Sequence, residues 1–351
     1  MRTTYNQSNV PVLTLVQIDS SHGRAPSRAA IAIAIALLMA IWAFNFLVVK
    51  WGLRYLPPLT FASLRVVAAG FFMLAIAPLC ARLPIFRQNA SARDKTVLPS
   101  GVFEARDLSS TDHKSRITRH DFFIFFYLGF FGVAVNQLCF TIGLHYTNVT
   151  HSSIIVGLAP IYTLTLAVLF RLERLTLRIA VGMTIAFSGV VILASSTGMA
   201  HRSPTLVGDA ITTCGSLGFA IYVVLGKRVA SRYNPLTMTT WNFIFGALIA
   251  LPIAIQQFFA NDLAHTWRTL PWQAYACVAY TGLFSSTLAY LFYFWLLRYL
   301  EASQLASFSY LLPVSASALS ILFLGERGSL PELIGAILAL LGVYYIESTR
   351  R

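Results

Sequence analysis

Charged residues are scarce in this sequence: Asp, Glu, Lys and Arg make up 11% of its 351 residues. Soluble domains carry about 25% charged residues, so the composition argues against an ordinary soluble enzyme. The four cysteines stand singly in apolar runs without a C-x-x-C spacing: Cys80, Cys139, Cys214 and Cys277. This pattern argues against a disulfide framework or a cysteine-bound metal cluster, and we expect no metal and no cofactor.

Acidic residues are scarcer than basic ones, with 13 Asp and Glu against 26 Lys and Arg and a net charge of +13. Such an excess can indicate nucleic-acid binding, but an apolar chain carries it in its cytoplasmic loops. We therefore expect no nucleic-acid partner. Hydrophobic residues make up 57% of the chain, enough for about ten helices of about 20 residues across a bilayer.

Ten apolar runs are long enough to cross a bilayer. Their lengths of 17 to 26 residues favour helices over β-barrel strands, which need about 10 residues of alternating polarity. The sequence thus predicts an all-α integral membrane protein in the lipid bilayer. The ten predicted transmembrane helices are Ala29–Val49, Leu59–Cys80, Phe122–Leu144, Ser152–Phe170, Leu177–Ser195, Leu206–Leu225, Leu236–Phe258, Trp272–Leu297, Gln304–Phe323 and Leu330–Ile346.

Basic residues in the loops predict the orientation of these spans. With the N-terminus inside, 20 Lys and Arg fall in loops on the inner side and five fall on the outer side. This bias predicts that both termini lie in the cytoplasm, together with a polar loop at 82–120, and that the membrane is the cytoplasmic (inner) membrane. Residues 1–28 are interpreted as a cytoplasmic tail, because no clean cleavage site follows their weak apolar patch.

The two halves of the sequence repeat each other. At a constant offset of 153 residues the matches include Gly129/Gly282, Pro160/Pro313 and Glu173/Glu326. Upstream the offset is 177, with Ala43/Ala220, Lys50/Lys227 and Pro58/Pro235. Five spans per repeat is an odd number, so the second repeat enters the membrane upside down, an arrangement typical of secondary transporters. We predict two inverted five-helix repeats, at 29–195 and 206–347.

Several stretches of this sequence resemble a known family. Residues 42–65 look like the first two helices of the EamA-like drug/metabolite transporters, and residues 159–193 and 312–346 share the Pro, Glu-Arg, Gly, Gly ladder of that family. The resemblance covers residues 29 to 347. It implies ten helices around a central cavity, and export or exchange of small metabolites, without naming a substrate. The loop at 82–120 departs from the family pattern.

Arg65 is the charge that lies deepest in a predicted span, about 9 Å from the outer end of the helix. A charge at the centre of a span costs about 2.5–3.5 kcal/mol on insertion scales. We therefore expect Arg65 to have a functional or structural role that offsets this cost. Either Arg65 pairs with a substrate carboxylate or phosphate, or it snorkels to the outer interface. Its repeat partner is Asn242, so the repeated scaffold itself does not require the charge.

Amides and phenols at membrane depth complete the candidate substrate site. These groups bond either to neighbouring helices or to a substrate in a wet cavity. Besides Arg65, the candidates are Asn45, Asn136, Gln137, Tyr162, Tyr222, Tyr290 and Tyr310, with Tyr293 and Ser309 nearby. Pro160 and Pro313 are predicted helix kinks that free backbone carbonyls, with or without ligand contact.

Charged residues at the ends of spans have two interpretations. Lys50 and Lys227 either cap helix carbonyls or form a gate for anionic substrates. Glu173 and Glu326 lie in tight turns, where a carboxylate satisfies the free N–H groups of a helix start.

The function predicted from these patterns is a secondary transporter, not an enzyme, that exports or exchanges small metabolites such as amino acids or related compounds. The alternative is a nucleotide-sugar or sugar-phosphate antiporter, which requires a cavity richer in Lys and Arg. A membrane enzyme requires paired intramembrane acids or metal-binding motifs, which the sequence lacks. Asp209 lies near a helix end and no carboxylate lies at a span centre, so we expect little dependence on a proton gradient. The sequence leaves the oligomeric state open, a homodimer included.

Overall fold

Helices make up all the regular structure in the described part of the chain. The computed structural model describes residues 26–82, 119–147, 152, 155–196, 206–230, 233–261, 267–312, 314–315 and 330–348, and every regular element among them is helical. The prediction of an all-α protein is therefore confirmed for these residues. Most of the predicted tail, most of the loop at 82–120, and both Pro313 and Glu326 lie outside them.

Twelve α-helices are numbered here in chain order within the described residues. They are α1 (Arg28–Gly52), α2 (Pro58–Cys80), α3 (Arg119–Leu128), α4 (Asn136–Tyr146), α5 (Ala159–Leu169), α6 (Leu177–Ser196), α7 (Leu206–Ala230), α8 (Pro235–Ala260), α9 (Trp272–Tyr280), α10 (Ala289–Leu297), α11 (Ala302–Ser307) and α12 (Leu330–Ser348). Two π-helical segments join α3 to α4 and α9 to α10: Gly129–Val135 and Thr281–Leu288. Short 3₁₀ turns lie at Trp267–Thr269 and Phe308–Tyr310.

Local sequence signals explain where these helices begin. The hydroxyl of Ser27 accepts a hydrogen bond from the Ala30 N–H at 3.1 Å and caps α1. Pro58 and Pro235 occupy the first turns of α2 and α8, where the missing N–H costs nothing. The side chain of Asn234 adds a cap to α8 by accepting from the Leu236 N–H at 3.0 Å.

Six helical stretches are long and apolar enough to cross a membrane: Arg28–Gly52, Pro58–Cys80, Asp121–Tyr146, Leu206–Ala230, Pro235–Ala260 and Trp272–Leu297. Shorter apolar helices lie at Ile155–Leu169, Leu177–Ile192 and Leu333–Ile346. The ninth predicted span, Gln304–Phe323, is described only at 304–312 and 314–315. The described chain is thus that of a multi-pass membrane protein.

The helices pack in pairs that join the two halves of the chain. α2 packs along α8, α4 along α7, and α6 along α12, while α1 contacts α9 and α10. The contact between α6 and α12 depends on close backbone approach, because a Cβ on Gly189 would lie 2.6 Å from the Gly335 carbonyl oxygen. Small residues at such crossings let membrane helices meet closely. The outward faces stay apolar, as shown by Ile33, Phe71 and Leu248, each more than half exposed.

Candidate functional site

A cavity of about 100 Å³ lies between the halves of the bundle. Helices α1, α2, α4, α5, α7 and α10 contribute residues to its lining, together with the π-segment Thr281–Leu288 and the stretch that follows α11. Its polar lining includes Asn45, Arg65, Asn136, Gln137, Ser285 and Tyr290. Several predicted site residues that are far apart in the sequence are therefore brought together.

Arg65 is the charged group of this cavity and is almost completely buried, with 3% of its surface exposed. Its Nη1 donates to the hydroxyl of Thr141 at 3.3 Å, and that hydroxyl in turn donates to the carbonyl oxygen of Gln137 at 2.9 Å. Its Nε has no hydrogen-bond partner among the described residues. Among the described residues no carboxylate pairs with the guanidinium, and the nearby titratable group is the neutral phenol of Tyr290, which lines the same cavity.

Asn136 and Tyr290 tie the first half of the chain to the second across the cavity. The amide nitrogen of Asn136 donates to the Gly215 carbonyl at 3.0 Å, and its amide oxygen accepts from the Tyr290 hydroxyl at 2.9 Å. Both bonds join α4 to elements of the second half. Asn136 and Tyr290 therefore have structural partners as well as a surface on the cavity.

Gln137 and Asn45 keep polar atoms free inside the cavity wall. The amide oxygen of Gln137 accepts from the Ser286 hydroxyl at 2.9 Å, but its amide nitrogen has no partner among the described residues. The amide oxygen of Asn45 is likewise without one in that part of the chain. Together with Arg65 Nε, the wall presents two free donors and one free acceptor, which a small polar ligand can satisfy.

Each π-segment offers a backbone carbonyl to an aromatic side chain of the cavity. The Gly132 carbonyl accepts from the Tyr290 hydroxyl at 3.1 Å, and the Ser285 carbonyl accepts from the indole Nε1 of Trp42 at 3.1 Å. Gly132 and Ser285 correspond at the repeat offset of 153. A π-helical turn breaks the regular i→i−4 pattern and often marks a functional position.

Of the five aromatic side chains in the cavity lining, three contact one another, and we call them the aromatic floor: Trp42, Phe219 and Tyr290. Trp42 meets Phe219 edge-on at 5.8 Å between ring centroids and Tyr290 at 6.1 Å. Such edge-to-face contacts fix ring positions.

Tyr162, Tyr222 and Tyr310 do not line the cavity. Tyr222 and Tyr310 are fully buried outside it, and Tyr162 on α5 is half-buried. Pro160 is the second residue of α5 and lies two residues after Leu158, where the helix pattern is interrupted.

Sequence reasoning missed several lining residues, among them Trp42, Phe140, Thr212, Ser216 and Phe219. The spacing of Thr212, Ser216 and Phe219 by four and three residues puts them on one helical face, and this signal was available in the sequence.

The bundle is closed by polar contacts at the end where α7 and α10 finish. The ammonium of Lys227 donates to the carbonyls of Leu297 at 2.8 Å and Leu300 at 2.5 Å. The carboxylate of Glu173 accepts from the Ser303 N–H at 3.0 Å and from the Ser303 hydroxyl. We call this end, with Lys227, Glu173 and Ser303, the closed end.

Comparison with known proteins identifies the family of the chain. The sequence model of the EamA-like transporter family matches residues 29–195 and 206–348. The chain belongs to the EamA-like transporter family. The family resemblance seen in the sequence is thereby confirmed, and the cavity is that of a transporter.

This EamA-like transporter has relatives in distant organisms. An uncharacterized transporter of Archaeoglobus fulgidus is 27% identical over 318 residues, which cover 91% of this chain and 99% of the relative. A probable terminal-alkyne amino-acid exporter of Streptantibioticus cattleyicolor is 23% identical over 216 residues, 62% of this chain and 70% of that protein. One solved crystal structure covers 92% of this chain and 98% of its own at 14% identity and a TM-score of 0.64, which is a likeness of fold alone.

Proposed function

We propose that this transporter exports or exchanges small carboxylate-bearing metabolites, amino acids or related compounds, across the cytoplasmic membrane. The observation that carries the proposal is Arg65, a buried cation in the cavity wall with a free Nε and no carboxylate partner among the described residues. A buried charge is costly unless it is paired. A substrate carboxylate supplies that pair in the planar geometry that a guanidinium prefers.

The rest of the lining supports an amino-acid-like ligand. The free donor of Gln137 and the free acceptor of Asn45 lie in the same wall as Arg65, so one ligand with both an anionic and a donor group can satisfy all three. The aromatic floor adds apolar surface for a side chain. The Streptantibioticus relative, a probable terminal-alkyne amino-acid exporter, agrees with this chemistry.

A nucleotide-sugar or sugar-phosphate antiporter is the alternative. Phosphate groups carry more charge than one carboxylate and are bound by clusters of Arg and Lys. Arg65 is the one cationic side chain among the described residues that line the cavity. The alternative is therefore less well supported.

The proposed mechanism is alternating access between two inverted five-helix repeats, residues 29–195 and 206–347, in a ten-helix bundle with both termini in the cytoplasm. The pairing of α2 with α8 and of α6 with α12 supports the repeat, because each of these helices packs on its own counterpart. The π-segments at Gly129–Val135 and Thr281–Leu288 support it further, since both occur in the third helix of a repeat. The excess of basic residues in alternate loops supports the orientation.

Exchange or downhill export, with little coupling to protons, completes the proposal. The carboxylate of Asp209 accepts a hydrogen bond from Thr147 at 2.6 Å near the start of α7, away from the cavity lining. A proton relay would require an acid within the transport path. The substrate gradient alone can drive alternating access.

The test is efflux from proteoliposomes loaded with a mixture of all standard amino acids, followed by mass spectrometry of the medium. We expect faster efflux of a subset than from protein-free liposomes, and loss of that efflux in Arg65→Gln and largely in Arg65→Lys, because an ammonium cannot form the same paired bonds. Arg54→Gln, which changes an exposed arginine, is the matched control and should behave as wild type. Unchanged efflux in Arg65→Gln would contradict the proposal.

A further inference from the structure

Seven buried polar side chains outside the cavity lining carry unpaired atoms in the described part of the chain, and three of them lie close together: Tyr222, Asn242 and Tyr293. The hydroxyls of Tyr222 and Tyr293 and both polar atoms of the Asn242 amide form no hydrogen bond there, although the Tyr222 hydroxyl and the Asn242 amide are neighbours. Each of these residues is at most 1% exposed. Folded proteins pair nearly all their buried polar groups, so three neighbouring exceptions require an explanation.

Tyr222 and Tyr293 lie against the aromatic floor, and Asn242 lies beside Tyr222. The ring of Tyr293 lies 5.6 Å from that of Trp42 and 5.4 Å from that of Phe219, and the ring of Tyr222 lies 5.5 Å from that of Tyr290. The rings of the aromatic floor therefore separate the cavity from Tyr222 and Tyr293.

The unpaired groups continue the cavity lining toward the closed end. On α7 the lining positions Thr212, Ser216 and Phe219 are followed on the same helical face by Tyr222. On α10, Tyr293 follows Tyr290 by three residues, and Leu297, which binds Lys227 through its carbonyl, lies four residues further on. Tyr222 and Tyr293 therefore lie on these two helices between the cavity lining and the contacts of Lys227.

The internal repeat assigns an equivalent position to each of these three residues. With the offsets of 177 and 153 residues, the lining residues Asn45, Arg65 and Phe140 correspond to Tyr222, Asn242 and Tyr293. Four other pairs have both members in the lining: Trp42/Phe219, Gln137/Tyr290, Val156/Ser309 and Ala159/Leu312. The shared pairs therefore form the centre of the site. The three buried residues hold the positions that, in the other half, face the open cavity.

We propose that Tyr222, Asn242 and Tyr293 form a second half-site, without charge, which binds the same substrate when the transporter opens at its closed end. This inference rests on the proposed function. The half-site holds two phenols and one carboxamide where the open half holds Arg65 and Asn45. The substrate carboxylate thus pairs with a cation in the conformation seen here and accepts neutral hydrogen bonds in the opposite one.

This difference in chemistry predicts different contributions to affinity on the two faces of the membrane. Charge-assisted hydrogen bonds are about twice as strong as neutral ones. The carboxylate therefore contributes more to binding from the side of the open cavity than from the side of the closed end. A primary amide of the same amino acid should lose affinity mainly on the open side.

The test measures KM on each face, in right-side-out and inside-out membrane vesicles, with the amino acid transported fastest in the proteoliposome assay and with its primary amide. The double variant Tyr222→Phe with Tyr293→Phe keeps both rings and removes both hydroxyls. We expect its KM to rise about tenfold on the face of the closed end and to change less than about twofold on the other. Arg65→Gln should show the reverse pattern.

Thermal unfolding of the same double variant checks the premise. Because neither hydroxyl has a partner in this conformation, the variant should unfold at the wild-type temperature or above. A clearly lower temperature would show that the hydroxyls are bonded within the fold, and would overturn the proposal. Tyr280→Phe is the matched control, since its hydroxyl donates to the Ile41 carbonyl at 3.1 Å outside the half-site, and KM should stay unchanged on both faces.

The outcomes separate the two claims. If the wild-type protein transports amino acids and the double variant keeps both KM values, the half-site is wrong and the proposed function stands. If the wild-type protein transports none, the proposed function fails and this inference fails with it. A KM increase on both faces would place the tyrosines in the shared centre, and would also overturn the second half-site.

Discussion

Lys50 and Lys227 occupy equivalent positions in the two halves of the chain, yet their surroundings differ. Lys50 is exposed at the end of α1, whereas Lys227 is half-buried near the end of α7 and binds two carbonyls at the closed end. We interpret this difference as one state of the proposed alternating access, in which the Lys227 contacts close one end of the bundle while Lys50 stays exposed.

The largest expected effect comes from removing the Lys227 contacts. Hydrogen bonds that involve a charged group contribute about 1.5–3 kcal/mol, so Lys227→Ala should shift the bundle strongly toward opening at the closed end. A cysteine placed at Ser307, which is fully buried on α11, reports that opening by its rate of thiol labelling. We expect the rate to rise at least about tenfold.

Lys50→Ala is the matched control, made in the same Ser307→Cys background. Because Lys50 is exposed in this conformation, its removal should leave the labelling rate within about twofold of the parent. Equal increases in the labelling rate of the two variants would show that the two lysines contribute equally in this conformation. The contrast drawn between Lys50 and Lys227 would then be wrong.

A second, somewhat smaller effect should follow from Glu173→Gln. The amide can still accept one of the two bonds from Ser303 but carries no charge for Lys227, which lies within electrostatic reach. We expect the labelling rate at position 307 to rise several-fold, less than in Lys227→Ala. If the double variant with Lys227→Ala labels no faster than Lys227→Ala alone, the two residues act as one unit. Full additivity would instead show independent contacts.

The two π-segments provide a comparison inside the membrane. A Cβ on Gly132 would fall within the ring of Tyr222, so Gly132→Ala should destabilise the fold by about 1–3 kcal/mol. Ser285 already carries a side chain at the equivalent position, so Ser285→Ala should have little effect. Thermal unfolding in detergent measures both. Similar losses of stability in Gly132→Ala and Ser285→Ala would show that the two π-segments are packed alike, contrary to this prediction.

The smallest effect is expected at Arg171, which follows α5 with a φ of 57°. A non-glycine residue in this left-handed region is strained by about 1–2 kcal/mol. The entropy that glycine adds to the unfolded chain offsets about 0.4–1 kcal/mol of that gain, so Arg171→Gly should stabilise the turn by about 1 kcal/mol or less. The turn leads to Glu173, so a more stable turn should favour the contacts of the closed end slightly. Labelling at position 307 should then be slightly slower. A lower unfolding temperature would indicate that the Arg171 side chain has contacts that outweigh the strain.

Much of this fold is predictable from the sequence because membrane spans follow from composition. The bounds predicted for the second span, Leu59–Cys80, differ by one residue from those of α2, and Trp272–Leu297 agrees with the observed stretch. The π-segments were not predicted, because their hydrogen-bond pattern depends on packing against neighbouring helices and not on local propensity.

The candidate site was only partly accessible to sequence reasoning. Arg65, Asn136 and Gln137 stand out as polar groups in apolar spans, and the structure brings them to one cavity. Tyr222 has the same signal but is buried behind the aromatic floor. Polarity at membrane depth identifies residues that need a partner, whereas which helix faces which, and in which conformation, depends on tertiary packing.

Arg65 is the one cation that the described residues contribute to the cavity wall, and this has an electrical consequence. If Arg65 stays fixed while the substrate moves past it, the charge carried across the bilayer is that of the substrate alone. A zwitterion then crosses without sensing the membrane potential. A substrate with a net negative charge is driven outward by a potential that is negative inside, by about 2.3 kcal/mol per 100 mV. Voltage-dependent currents would therefore report the charge of the substrate before its identity is known.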